Sequence, residues 1–176
     1  FQAKKEFCIF ATAPSMDGFA STMAPITENG FKRTYPALGP KVLLADTAIL
    51  AHSPVDLKAA GLGDLLGKYT ALADWEIATL TTGEYYCERI ATLTRDAVNK
   101  AVCLAKSGKA TEPNEAYASA LMEALILSGV AMFLSHSTRP ASGSEHHIAH
   151  FLEMQYARRG FKPMFHGTKV GIACGM

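Results

Sequence analysis

The chain has 176 residues, 49% of them hydrophobic, with 17 lysines and arginines against 16 aspartates and glutamates. That length can bury a sizeable core in one domain, and the composition excludes a disordered chain. A net charge of +1 without a basic run or aromatic-basic interleaving excludes the electrostatic footprint of a nucleic-acid partner.

The basic tract at Lys4 and Lys5 precedes an apolar run too short for the core of a signal peptide. Phe7 to Thr12 is that run, of strand length, closed by Pro14 and the turn residues Ser15, Asp17 and Gly18. A buried strand ending in a polar loop is where α/β proteins place ligand contacts. Thr27 to Pro40 is polar and punctuated by Gly and Pro, with Phe31 to Tyr35 as a short strand. Lys41 to Ala45 is another strand, entered through the turn Pro36 to Pro40.

From Thr47 the hydrophobic period becomes helical. Asp46 or Thr47 caps a short helix through Leu50. Ser53 as N-cap and Pro54 in the first turn open another. A longer helix follows Gly63, from Asp64 to Thr79, with Leu65, Leu66, Tyr69, Leu72 and Ala73 on one side. Glu84 to Ser107 is periodic and stops at Gly108. Pro113 opens an apolar helix through Leu134. Glu123 in its middle marks it as buried, and no stretch reaches the roughly 20 apolar residues of a membrane span. Ser144 and His166 open the last two helices. The expected fold is mainly α, a multi-helical body (47–176) preceded by a small β remnant (1–46). The chain starts without Met and ends inside an apolar pattern at Gly171 to Met176, so it reads as an internal piece of a longer protein. Cys8, Cys87, Cys103 and Cys174 show no CxxC spacing and suit a reducing cytoplasm.

The densest polar cluster is Ser142 to His150. On a helix His146 and His150 share a face, while His147 points aside. Such a pair can share a divalent metal or set one ligand beside one proton carrier. Solvent-exposed histidines at a polar helix start explain the same residues. His166 is either a third ligand or a capping histidine. Asp64 lies among glycines and apolar residues, where a carboxylate needs a cation, or it simply favours the positive end of a helix. One carboxylate with two or three imidazoles makes an open site for Zn²⁺, Ni²⁺ or Fe²⁺, a Lewis acid toward a substrate oxygen.

Four segments in order carry a resemblance: Thr12 to Ser21, Ala60 to Lys68, Arg139 to His146, and His166 to Gly171. Together they resemble the glycerol-1-phosphate dehydrogenases, which group with glycerol dehydrogenases, iron-type alcohol dehydrogenases and dehydroquinate synthases. The resemblance implies a helical metal and substrate domain of the dehydroquinate synthase-like fold, preceded by the edge of a nucleotide-binding domain. It implies Asp64, His146 and His166 as metal ligands, with Asp64 also touching substrate. Asp17 and His150 would contact substrate, His150 as a proton relay. Thr12, Ala13, Pro14, Ser15 and Ser21 would lie against NAD or NADP. The implied reaction is hydride transfer between dihydroxyacetone phosphate and sn-glycerol-1-phosphate in a cytoplasmic homo-oligomer serving phospholipid metabolism. The family's glycine-rich pyrophosphate loop is not in this sequence, and the helices completing the second domain are also missing. Lys169 is a candidate for the substrate phosphate. The competing readings are a glycerol dehydrogenase acting on the free polyol, a dehydroquinate synthase, which the lysine and arginine pattern disfavours, and a non-catalytic metal-binding helical domain.

Overall fold

The computed structural model describes residues 5–176, so Lys4 of the basic tract lies outside the described residues. Among the described residues four short strands come first: β1 (Cys8–Ala11), β2 (Met23–Glu28), β3 (Phe31–Pro36) and β4 (Val42–Ala45). β1 pairs in parallel with β4, and β2 pairs antiparallel with β3. The sequence pattern missed β2, because Pro25 interrupts it and little of it is buried. The signal for the hairpin is Asn29-Gly30, both at positive φ (51° and 80°), the two-residue turn that matches strand twist. Its register sets Pro25 opposite Thr34. With Met23 and Lys32, two residues away on either strand, these make one wall of a cavity.

Six α-helices follow among the described residues: α1 (Thr47–Ala51), α2 (Val55–Thr82), α3 (Glu88–Leu104), α4 (Glu115–Ser135), α5 (Ser144–Arg158) and α6 (His166–Ala173). The mainly α expectation holds. Asp46 caps α1, accepting from the amides of Ala48 and Ile49. Ser53 caps nothing; its hydroxyl donates to the Leu50 carbonyl, and Pro54 takes the N-cap position of α2.

The larger correction is α2 itself, one helix of 28 residues where the glycines suggested a break at Gly63. Those glycines are points of contact. α6 crosses so closely that a Cβ on Gly63 would strike the Gly167 carbonyl, and one on Gly167 would strike the carbonyl of Ala60. A Cβ on Gly61 would land on the carbonyl of Pro14. The helix accepts about 1 kcal/mol per glycine relative to alanine and gains backbone-to-backbone packing that no larger residue allows. The side chains divide differently from the expected face as well. Leu65 and Leu72 enter the core, while Leu66, Tyr69 and Ala73 are exposed.

α3 begins at Glu88, four residues later than expected, because the preceding loop is held extended. Trp75 Nε1 donates to the Tyr85 carbonyl, and Glu84 pairs with Arg139 at 2.7 Å. α3 ends in a wide turn, Ala105–Lys109, around Gly108 at φ 79°. α4 is capped by Asn114, whose side chain accepts from the Tyr117 amide. With 21 residues and a mean hydropathy of 1.7 in its most apolar stretch, α4 is long and apolar enough to cross a membrane, contrary to the length expectation. Its apolar character has a packing cause. Tyr117, Leu121 and Leu125 meet α2 and α3, Ala118 and Met122 meet α1 and β1, and Gly129 touches Ala20.

The start of α5 is held by α2. The Ser144 amide donates to Asp74 Oδ2 at 2.6 Å, and Gly143 leaves room for that approach. These contacts fix where His146 and His150 project.

In an open helix Gly→Ala adds up to about 1 kcal/mol of stability. Gly63→Ala is expected to do the opposite, destabilising by about 1–3 kcal/mol through overpacking against α6. Urea unfolding reads the sign directly; a gain in stability would mean that this crossing is not a tight constraint.

Candidate functional site

Asp64 is in the interior of α2 with no exposed surface, so the reading of it as an acid at a helix start does not apply. One turn on, Lys68 is equally buried. Its ammonium lies 2.8 Å from Asp64 Oδ1 and 2.7 Å from Asp17 Oδ2. The Asp17 amide donates to Asp64 Oδ2 at 3.0 Å, and Ser128 Oγ on α4 donates to Asp17 Oδ2 at 3.0 Å. Thus the loop after β1 is tied to α2 by Pro14 packed on Gly61 and by this polar network.

α5 and α6 bring the histidines to the same place. The donor atoms of Asp64, His146 and His166 all lie within 4.8 Å of one another. His146 Nε2 faces Asp64 Oδ1 at 3.6 Å, while its Nδ1 is 2.6 Å from Glu145 Oε1. Glu145 is itself buried and also accepts from the Gly143 amide. A carboxylate behind an imidazole fixes the ring's orientation and raises its basicity, the usual support of a metal-binding histidine. His150 stands beside both, its ring centroid 6.2 Å from that of His146 and 5.8 Å from that of His166. His147 is exposed. A second trio, His150, Glu153 and His166, also has donor spacing. There, however, Lys32 (2.9 Å) and Lys169 (3.4 Å) flank the Glu153 carboxylate, and two ammonium groups oppose a dication.

The electrostatics follow from burial against pairing. Burial penalises the Asp64 charge, but Lys68, the bond with His146 and the charge of His166 hold the carboxyl well below the usual range. Burial likewise works against the Lys68 ammonium, and Asp17 and Asp64 outweigh it, raising its pKa. His146 is raised against burial by its bonds to Asp64 and Glu145. Among the described residues His150 has no hydrogen-bonded carboxylate of that kind, and the charge of Glu153 is outweighed. Burial, then His166, His146 and Lys32, push it down to about 4. His166 is also lowered, chiefly by burial.

A cavity of about 400 Å³ opens beside these groups, lined by Asp17, His146, His150 and His166 at one end and by Met23, Pro25, Lys32 and Thr34 of the hairpin at the other. Of the segment expected to face a nucleotide, Ser21 lines this cavity, Pro14 is buried against α2, Ala13 and Ser15 are half-buried, and Thr12 is exposed. Lys169 is buried behind Glu153 and is not in the cavity wall. Sequence reasoning missed Lys68, Ser128, Glu145, Lys32 and Glu153. Three of these left a spacing signal: Lys68 is four residues from Asp64, and Glu153 is seven from His146 and three from His150, on the same helix face. Glu145 directly precedes His146.

Residues 1–54 match the family of iron-containing alcohol dehydrogenases. The glycerol-1-phosphate dehydrogenase [NAD(P)+] of Bacillus velezensis is 45% identical over 176 residues, all of this chain and 44% of that protein. That of Bacillus licheniformis is 42% identical over the same 176 residues and 43% of its length. Among solved structures, a probable glycerol dehydrogenase from Sinorhizobium meliloti 1021 aligns over 98% of this chain and 49% of its own, with a TM-score of 0.73 at 22% identity. The chain spans somewhat under half the length of the curated relatives it matches. Over its whole length the chain is thus similar to the glycerol-1-phosphate dehydrogenases of these two organisms, and its fold is that of the glycerol and iron-containing alcohol dehydrogenases.

Proposed function

We propose that the full-length protein is a metal- and NAD(P)-dependent dehydrogenase interconverting dihydroxyacetone phosphate and sn-glycerol-1-phosphate, and that this chain carries its metal and substrate centre. The observation that carries the reading is the convergence of Asp64, His146 and His166 beside a cavity holding Asp17 and His150. Three protein donors with an open side suit a catalytic ion, whereas structural sites close with four. That favours chemistry over a purely structural metal domain.

The charges fit the same ion. Asp17, Asp64 and Glu145 set three carboxylates against the one ammonium of Lys68. With neutral imidazoles, as metal binding requires, the excess is two negative charges, which a divalent ion matches. Oxygen and nitrogen donors suit Zn²⁺, Ni²⁺ or Fe²⁺. Held by Asp64, His146 and His166, such an ion supplies Lewis acidity toward the substrate hydroxyls. The nicotinamide supplies the hydride acceptor or donor. The chain's own residues do the rest. Lys68 and Ser128 hold the Asp17 carboxylate at the cavity wall, where it orients a substrate hydroxyl. His150, kept neutral by burial, takes or returns the hydroxyl proton on a ring nitrogen.

Thr12 to Ser15 and Ser21 form the cofactor side. In this reading residues 1–46 are the edge of the nucleotide-binding domain and 47–176 belong to the helical metal and substrate domain. Support comes from Phe10 and Leu44, both more than half exposed on the β1–β4 pair, since parallel strands are normally covered on both faces. The four thiols form no disulfide and suit a cytoplasmic protein; homo-oligomeric assembly and a role in phospholipid metabolism complete the reading.

Asp64→Asn and His146→Ala are expected to lose both bound metal and dihydroxyacetone phosphate reduction, against about one metal per chain in the parent. Metal content by elemental analysis, run beside activity, checks this. A preference for dihydroxyacetone over its phosphate would move the protein to the free-polyol reading, and activity surviving metal removal would take it out of this chemistry. Lys68→Met leaves two buried carboxylates without their counter-charge and should cost about 3–5 kcal/mol of stability. A change below about 1 kcal/mol in denaturant unfolding would show that the Asp17–Lys68–Asp64 network contributes little.

A further inference from the structure

Glu153 is the third cavity residue on the α5 face that carries His146 and His150. Lys32 reaches it across the cavity from β3, with Nζ 2.9 Å from Oε1; Lys169 approaches from α6, 3.4 Å from Oε2. Oε2 makes no hydrogen bond, although the atom is fully buried. Both lysine side chains are largely withdrawn from water, at 15% and 5% exposure. Two ammonium groups on one carboxylate leave an excess of one positive charge at this end of the cavity. At the other end, the three carboxylates and Lys68 are balanced once a dication is present. Thr34 lies two residues from Lys32 on the same face of β3, and its hydroxyl is in the same wall.

A cationic, half-enclosed site facing a neutral one selects a ligand that is hydroxylated at one end and anionic at the other. Lys32 is also the cation that lines the cavity, whereas Lys169 does not. We infer that Lys32 receives the phosphate of the substrate, that Glu153 holds its ammonium in place in the free protein, and that Lys169 keeps Glu153 paired once the phosphate has displaced it. This rests on the polyol-phosphate reading for the identity of the ligand, but the anion site can be tested without it.

The experiment uses the full-length protein with Lys32→Met and Glu153→Gln. Inorganic phosphate binding is measured by calorimetry, beside KM for dihydroxyacetone phosphate, dihydroxyacetone and both nicotinamide cofactors. Lys32→Met should weaken phosphate binding roughly tenfold or more, the loss of one charged hydrogen bond. It should raise KM for dihydroxyacetone phosphate by a similar factor relative to that for dihydroxyacetone. Glu153→Gln removes the competing carboxylate and should tighten phosphate binding, a result that a structural role for the ion pair does not give. Phosphate bound equally by parent and Lys32→Met, no phosphate binding by the parent, or equal effects on both substrates would overturn the inference. So would an effect confined to KM for NADPH, which would assign Lys32 to the cofactor's phosphate. If phosphate binding depends on Lys32 but dihydroxyacetone phosphate is not reduced, the anion site stands and the polyol-phosphate reading falls.

Discussion

A carboxylate with no exposed surface in the middle of a long helix is the constraint on which the rest of this structure depends. Removing Asp64 from water costs several kcal/mol, recovered only by good pairing. Lys68, one turn away on the same helix, and the backbone amide of Asp17 provide that pairing. For residues 64 and 68 to face the same way, α2 must run unbroken through its glycines. For the amide of Asp17 to arrive, the loop after β1 must press its Pro14 carbonyl into the space a Gly61 side chain would fill. For His166 to arrive, α6 must cross at backbone contact, which Gly63 and Gly167 allow. Close packing and buried charge are thus one arrangement, in which each glycine brings a polar group within reach of Asp64.

The third wall of the site, α5, is secured from outside the charge network. Asp74 takes the amide of Ser144, Arg139 ties the preceding loop to Glu84, and Glu145 binds both the Gly143 amide and His146 Nδ1. These contacts hold the first turn of the helix, so the residues at 146, 150 and 153 follow along one face at helical spacing. Supporting groups of this kind decide whether a polar constellation is held within a fraction of an ångström of a working geometry.

Much of this was legible in the sequence. The helical period from Thr47, the His146 and His150 spacing, and the order of the four segments led to the correct mainly α fold and to residues that meet in space. What stayed hidden had physical causes. Gly63 looks like a stop because a glycine's local cost is visible in a sequence, while the neighbouring helix that justifies it is 104 residues away at Gly167. β2 was lost because an exposed hairpin strand containing proline has no burial pattern to read. Lys68 ends one of the four resembling segments, but a lysine in a helix is usually solvated, and only the fold shows its ammonium between two carboxylates. Glu153 sat at a readable spacing, but its partner Lys32 comes from a strand 121 residues earlier.

The cavity therefore has two ends of different electrical character, built from different elements. The end formed by α2, α5, α6 and the loop after β1 carries an excess of carboxylate that a divalent ion would balance. The other end, where the hairpin meets Glu153, carries an excess of ammonium. Neither helices nor hairpin alone would make such a site: the helices supply Glu153 and Lys169, and the hairpin supplies Lys32 and Thr34. A free triol would gain at the first end only, with the second leaving Lys32 bound to Glu153 and unaffected. On the proposed reading a phosphorylated polyol would gain at both, because its phosphate would replace the Glu153 carboxylate while Lys169 retains it. Discrimination would then depend on a difference between two ion pairings at one lysine, and the proposed metal centre would not have to distinguish the two substrates at all.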